Sequence, residues 1–252
     1  EVYFDLEQIK EFNEIIKNNN KKIFISLNKN MHNEDIIKLK ELLLNLNELN
    51  IDGVFFYDIG IVNLKNKLNL NYDLVWSQEH LTTNYNTCNF WYNEGVKYVN
   101  LSNEITKNEI KAISQNTNMK LIVTLFGHLP MFTSKRHLVK NYLKTFKLKQ
   151  NGYYIEKEGK IYPIVDNDEG TVVYSDFLLN GLEEALELEN LVEYIFLNNY
   201  NIDTKDFIEI VKLFYNLNLN NLEKSKQILN KITTNKGFLY TETIYKVKKY
   251  EK

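Results

Sequence analysis

The feature that most constrains the fold is a fivefold alternation between short apolar runs and longer amphipathic stretches. Runs at 22–28, 53–58, 72–77, 96–102 and 121–126 read as strands. Each is followed by a helical pattern, at 33–49, 61–68, 85–95, 107–115 and 134–146. The first of these places Ile36, Ile37, Leu39, Leu42, Leu43, Leu46 and Leu49 at helical spacing. Near-continuous apolar strands joined by helices imply a parallel sheet covered on both faces. Such crossovers are right-handed, so the chain winds in one direction. Five consecutive units point to an α/β, TIM-barrel-like architecture. The chain opens with a helical pattern at 6–17, so the expected barrel is incomplete at its N-terminus, with at least one strand upstream of Glu1.

The pattern then changes. Alternating runs at 152–156 and 160–165 flank a turn around Lys157–Gly159, residues 166–170 read as a second turn, and 171–174 as another strand. This predicts a small antiparallel insertion at about 150–176 within one barrel-like domain spanning 1–252. A helix at 182–191, a strand at 192–197, helices at 204–215 and 222–231 and a terminal strand at 238–248 complete the expected order.

Composition narrows the function classes. A net charge of −2 gives no bulk attraction to nucleic acid. A local basic patch is nevertheless expected around Lys135, Arg136, Lys140, Lys144, Lys147 and Lys149. Cys88 is the single cysteine, so the chain alone can build neither a disulfide framework nor a metal site of several cysteines. Such cysteine usage fits a reducing, cytoplasmic location. No signal peptide is visible, and no apolar run approaches the roughly 20 residues that span a bilayer, so no membrane partner is expected.

Polar residues stand where the predicted strands end: Asn28, Asp58, Gln78 with Glu79 and His80, Asn103 with Glu104, then His128. On a barrel, such residues converge on one face. Glu104 is a candidate general base, or a first-turn carboxylate favoured by the helix dipole. His128, beside Gly127, is a candidate proton donor or a structural loop histidine. Arg136, the only arginine beside thirty lysines, could grip an anion or pair with a surface carboxylate. Ser134 and His137 read either as a nucleophile pair or as a helix start capped by serine. Asp166, Asp168 and Glu169 with Gly170 depart from the EF-hand spacing and read as a hairpin turn. No metal site is expected. Candidate catalytic residues are therefore Glu104, His128 and Arg136, with Asn28, Asp58, Gln78 and His137 as candidate substrate contacts.

Five segments in order carry a family likeness: KIFISLNKNMHNED (22–35), IDGVFFYDIGIV (51–62), TTNYNTCNFWYNEGVKYVNLSNEIT (82–106), LFGHLPMFTSKRHLVKNY (125–142) and GFLYTETIYKVK (237–248). Together they resemble the collagenase-like peptidase family U32. The resemblance implies a barrel-like α/β domain whose first strand and helix precede Glu1. Gly127 and Ser134 stay in step with the family signature, while Pro130 and His137 stand at its two cysteine positions, Thr124 stands near its glutamate, and a downstream cysteine pair is absent.

That departure shapes the functional expectation. Cysteines of related proteins hold an iron–sulfur cluster, and bacterial members are linked to hydroxylation of wobble uridine in tRNA, with prephenate as the source of the hydroxyl group. The resemblance thus implies a cysteine-poor subunit for 5-hydroxyuridine synthesis. It binds no cofactor alone, the cluster being confined to a partner. Expected partners are a longer paralogue or a second copy, and tRNA. A collagenase-like peptidase and a non-catalytic partner of a longer paralogue are the alternatives.

Overall fold

The computed structural model describes residues 3–27, 31–78, 81–149, 154–167, 170–229 and 233–241. The chain divides into two compact units: residues 1–102 with 112–122, and residues 103–111 with 123–252.

The first unit contains the predicted strand–helix alternation. After helix α1 (Leu6–Asn18) come β1 (Phe24–Leu27), α2 (Ile36–Glu48), β2 (Gly53–Phe56), α3 (Gly60–Leu68), β3 (Asp73–Ser77), α4 (Tyr85–Asn93) and β4 (Tyr98–Asn100). Helix α5 (Lys107–Ser114) then leads to β5 (Lys120–Ser134), whose first residues close this unit. All four ladders, β1–β2, β2–β3, β3–β4 and β4–β5, are parallel. The spatial order follows the chain order, as in an incomplete β/α barrel.

Sequence explains these elements locally. Helix α1 starts with a capping box: the Gln8 N–H donates to the Asp5 carboxylate at 2.8 Å, and the Asp5 N–H donates back to the Gln8 side chain at 3.0 Å. With few glycines available, asparagine takes the left-handed positions that end local elements: Asn20, Asn50, Asn69 and Asn201 all have positive φ. The strands are apolar on both faces because both faces are covered. Phe56, Trp76 and Trp91 cluster on one, with the two indoles stacked at 4.1 Å. Phe24, Phe55 and Tyr98 meet edge to face within 6.0 Å elsewhere.

The second unit is where the structure corrects the sequence reading. The strand expected to stop at Phe126, turn at Gly127 and enter a helix at Ser134 continues to Ser134 as the 15-residue β5. Helix α6 (Leu138–Phe146) begins four residues later than expected. Long-range pairing overrides the local turn signal: β5 lies antiparallel to β8 (Gly170–Asn180) from Phe126 to Ser134. Pro130, which lacks an N–H, sits where that ladder shifts register. The strand β6 (Tyr154–Lys157) pairs with β7 (Lys160–Asn167), and β7 with β8, both antiparallel.

The antiparallel part therefore extends beyond the expected insertion, to Asn180, and recruits β5. Helix α7 (Leu182–Leu188), strand β9 (Tyr194–Leu197), helices α8 (Thr204–Tyr215) and α9 (Leu222–Leu229) and a two-residue strand β10 (Thr234–Asn235) follow. Phe126, Leu182, Ile210 and Leu229 form the buried core they share. The expected terminal strand is absent over the described residues, since 237–240 form turns; its remainder, from 242, lies outside them. Lys236 and Tyr240 instead hold this segment to the fully buried Glu184 carboxylate, at 2.8 and 2.7 Å.

Gly127 is the pivot of β5. Its φ is +108°, and an added Cβ would collide with the Asn198 carbonyl, whose own N–H donates to Phe126 at 2.8 Å. Gly127→Ala is therefore expected to lower stability by more than about 2 kcal/mol. Urea denaturation checks this, and an unchanged midpoint would contradict the assignment.

Candidate functional site

In the first unit, the carboxyl ends of β3 and β4 carry the notable polar groups. Ser77 and Asn100 are register partners, so they share a face, and the Asn100 side-chain amide donates to the Ser77 hydroxyl at 3.4 Å. The Asn100 Oδ1 is buried and has no hydrogen-bond partner among the described residues. The same holds for the Oγ1 of the fully buried Thr82, whose carbonyl accepts the Ser102 N–H at 3.0 Å just beyond β4. Buried polar groups are almost always paired, so each of these atoms has capacity for a polar ligand or ordered water. Strand ends of parallel α/β sheets are where ligands bind. Sequence reasoning missed Asn100 and Thr82: a lone Asn or Thr near a strand end carries no motif.

Two sequence-derived candidates fall in this unit. Gln78 is half-buried directly after β3. Asp58 has a structural occupation: its carboxylate accepts the Met31 N–H at 2.8 Å and the Gly60 N–H at 2.7 Å, tying Met31 to the start of α3. Asn28, Glu79 and His80 lie outside the described residues.

The other candidates belong to the second unit. Glu104 is exposed in the turn before α5. The first-turn carboxylate of that helix is Glu109, which accepts the Thr106 N–H at 2.6 Å and returns its own N–H to the Thr106 hydroxyl at 3.2 Å. His128 is half-buried within β5. Its Nδ1 lies 2.9 Å from the Ser175 carbonyl, which makes Nδ1 the protonated nitrogen of the neutral ring. Burial pushes the His128 imidazole below its ordinary value, against the Ser175 and Phe177 carbonyls and Asp176, which raise it.

Arg136 is exposed between β5 and α6, and its carbonyl accepts the Thr171 hydroxyl at 2.8 Å. Six residues of extended strand, about 20 Å of contour, separate His128 from Ser134, and Arg136 lies beyond. The chain thus spreads His128 and Arg136 along β5 and its exit. His137 places its Nδ1 3.0 Å from Asp166. The other oxygen of that carboxylate accepts the Val139 and Lys140 N–H groups at 2.7 and 3.0 Å. Asp166, read from sequence as part of a turn, lies in β7 and caps a helix 28 residues before it. Burial alone would raise its pKa, but the Lys140 N–H, the His137 ring and the Val139 N–H outweigh burial and hold it below the usual carboxylate value.

Among the described residues no hydrogen bond joins Ser134 to His137, and the helix-cap form of that reading fails on geometry. Ser134 is a strand residue whose hydroxyl accepts the Arg136 N–H at 3.2 Å, so it caps no helix. His137 is directed to Asp166. An iron–sulfur cluster does not fit this chain either. Pro130 offers no ligand, and Cys88 is buried in α4 with burial pushing its thiol up to about 11, against a lowering backbone hydrogen bond. Among the described residues, no group of three or more His, Cys, Asp or Glu side chains could hold a metal ion. No helix among them is long and apolar enough to cross a membrane.

Comparison with known proteins places the chain. The model of peptidase family U32 matches residues 2–152, more than half of the sequence, so the chain belongs to that family. Among curated relatives, it is 27% identical over 275 aligned residues to tRNA hydroxylation protein P2 of Bacillus subtilis, covering 96% of this chain and 87% of the relative. It is 25% identical over 140 residues to tRNA hydroxylation protein P1 of the same organism, covering 56% of this chain and 33% of that protein. A solved U32 peptidase aligns over 77% of this chain and 76% of its own, at 12% identity and a TM-score of 0.48.

Two outcomes check the local assignments. The lowered His128 value means that the unfolded chain takes up that proton first. Its contribution to stability is complete above the ordinary value of 6.5 and is lost as pH falls below it. The pH dependence of the unfolding free energy between about pH 7.5 and 5.5 should flatten in His128→Asn. An unaltered slope would contradict the burial argument. Asp166→Ala should cost about 1–2 kcal/mol and selectively accelerate amide exchange at Val139 and Lys140, leaving β1–β4 protected. Uniform acceleration would contradict a capping role.

Proposed function

We propose that this chain is a subunit for hydroxylation of wobble uridine in tRNA to 5-hydroxyuridine, working in the cytoplasm with a longer, cysteine-bearing paralogue. The observation that carries this reading is its nearly end-to-end similarity to a protein named for tRNA hydroxylation. The chain's own chemistry accords with a shared task. The cysteine positions of the family signature hold Pro130 and His137, and Cys88 is inaccessible, so cluster chemistry falls to the partner. The unpaired Asn100 and Thr82 oxygens offer polar contacts for a small substrate at the β3 and β4 ends. Glu104, His128 and Arg136 are the candidate reacting or positioning groups of the second unit. Among the described residues no hydrogen bond joins Ser134 to His137, so none favours the peptidase alternative.

Deleting the gene in its native host, together with any redundant paralogue, should remove 5-hydroxyuridine from tRNA digests analysed by mass spectrometry. Returning this chain with its paralogue should restore it. An unchanged nucleoside content would contradict the proposal.

A further inference from the structure

We infer that α6 and its approaches form a docking surface for an unpaired loop of RNA. The inference rests on the tRNA reading above and assigns that reading a surface. Three observations in the second unit converge on it.

The first is exposure. Helix α6 contains no buried residue, and only Val139 and Leu143 are half-buried along it. Its large side chains face outward: Tyr142 is 57% exposed and Phe146 60%. Their rings are 4.7 Å apart and tilted by 46°. Met131 and Phe132 on β5, Leu148 after the helix, and Tyr154 on β6 are further exposed large apolar side chains of this unit.

The second is charge. From Leu129 to Lys149 there are six Lys and Arg residues and no carboxylate. Over Ile110 to Ile155 there are eight cations and no carboxylate, which leaves 23 cations against 33 carboxylates elsewhere in the chain. The Asp166 side chain, beside the start of α6, is 0% exposed and both its oxygens are bound. Glu156 and Glu158 lie on the β6–β7 hairpin, accompanied by Lys157 and Lys160.

The third is arrangement. At about 100° per residue, Leu138, Tyr142 and Phe146 form one stripe and Lys140 and Lys144 another, with Lys147 following at the left-handed helix end. Val139 and Leu143, the docked side, leave Asn141 and Thr145 on the outward crest between the two stripes. A strand lying along the lysine side could fold its bases over this small polar crest onto Tyr142 and Phe146. That division suits unpaired RNA, in which phosphates need cations and exposed bases stack on aromatic rings. Protein interfaces deplete lysine, whereas here lysine alternates with every aromatic residue of the helix. An apolar stripe of three residues on a nine-residue helix is also narrow for a membrane surface.

The test uses the full chain and an unmodified tRNA transcript, a fully paired RNA duplex, and vesicles containing anionic phospholipid, read by fluorescence anisotropy and co-sedimentation. Wild type should bind the tRNA in a salt-dependent way. K144E/K147E and Y142A/F146A, which alter exposed side chains, should retain the circular dichroism of wild type. Each should weaken tRNA binding by about tenfold, with Y142A/F146A leaving duplex binding unchanged. Absence of wild-type tRNA binding, wild-type affinity in both variants, preferential binding to the vesicles, or loss of an associated protein as the only defect would each overturn the surface. If 5-hydroxyuridine depends on this chain but both variants restore it fully, the surface fails and the function stands. If 5-hydroxyuridine is independent of the chain while the variants lose tRNA binding, the function fails and the surface stands.

Discussion

The second unit depends on one strand that must satisfy neighbours on more than one side. After its parallel pairing with β4, β5 receives the Gly181 N–H at Leu125 and the Asn198 N–H at Phe126, then runs antiparallel to β8 as far as Ser134. Such crowding requires a residue without a side chain where Asn198 approaches, and Gly127 supplies it. The Ser175 hydroxyl then accepts the Leu129 N–H at 3.0 Å and donates to the Phe177 carbonyl at 2.6 Å, which fixes the irregular stretch around Pro130. A signature glycine thus serves the backbone first. The polar cluster downstream of it is carried at the end of a long strand, rather than at a tight turn over the sheet.

This explains what the sequence reveals and what it conceals. β1 to β4 and their helices are legible because each is specified by its own residues: apolar runs for strands covered on both sides, and helical spacing between them. Helix α8 has its observed bounds in the sequence pattern, since Asp203 caps it locally through the Lys205 N–H. The continuation of β5 is not legible. Gly127, Pro130 and Ser134 all signal local interruption, and the pairing that overrides them comes from residues about forty or more positions away. Asp166 is concealed for the same reason. Its neighbours spell a turn, while its partners are His137, Val139 and Lys140. The basic patch, by contrast, is visible in sequence because charge is additive and needs no pairing to be read.

Function divides along the same line. With one cysteine the chain supplies no thiolate set of its own, and Pro130 and His137 have structural work: Pro130 marks a register shift, and His137 binds the carboxylate that holds α6 in place. What the chain presents instead is an exposed helix whose cations and aromatic rings flank one polar crest. Under the function proposed above, substrate holding is the task that this charge segregation would serve.

The most direct measurement is ultraviolet crosslinking in living cells, followed by purification of this chain and mass spectrometric mapping of nucleotide-bearing peptides. The account predicts tRNA as the principal crosslinked RNA, with adducts concentrated in residues 131–149, including Tyr142 or Phe146. Recovery of the chain without tRNA, or with adducts confined to the first unit, would contradict it.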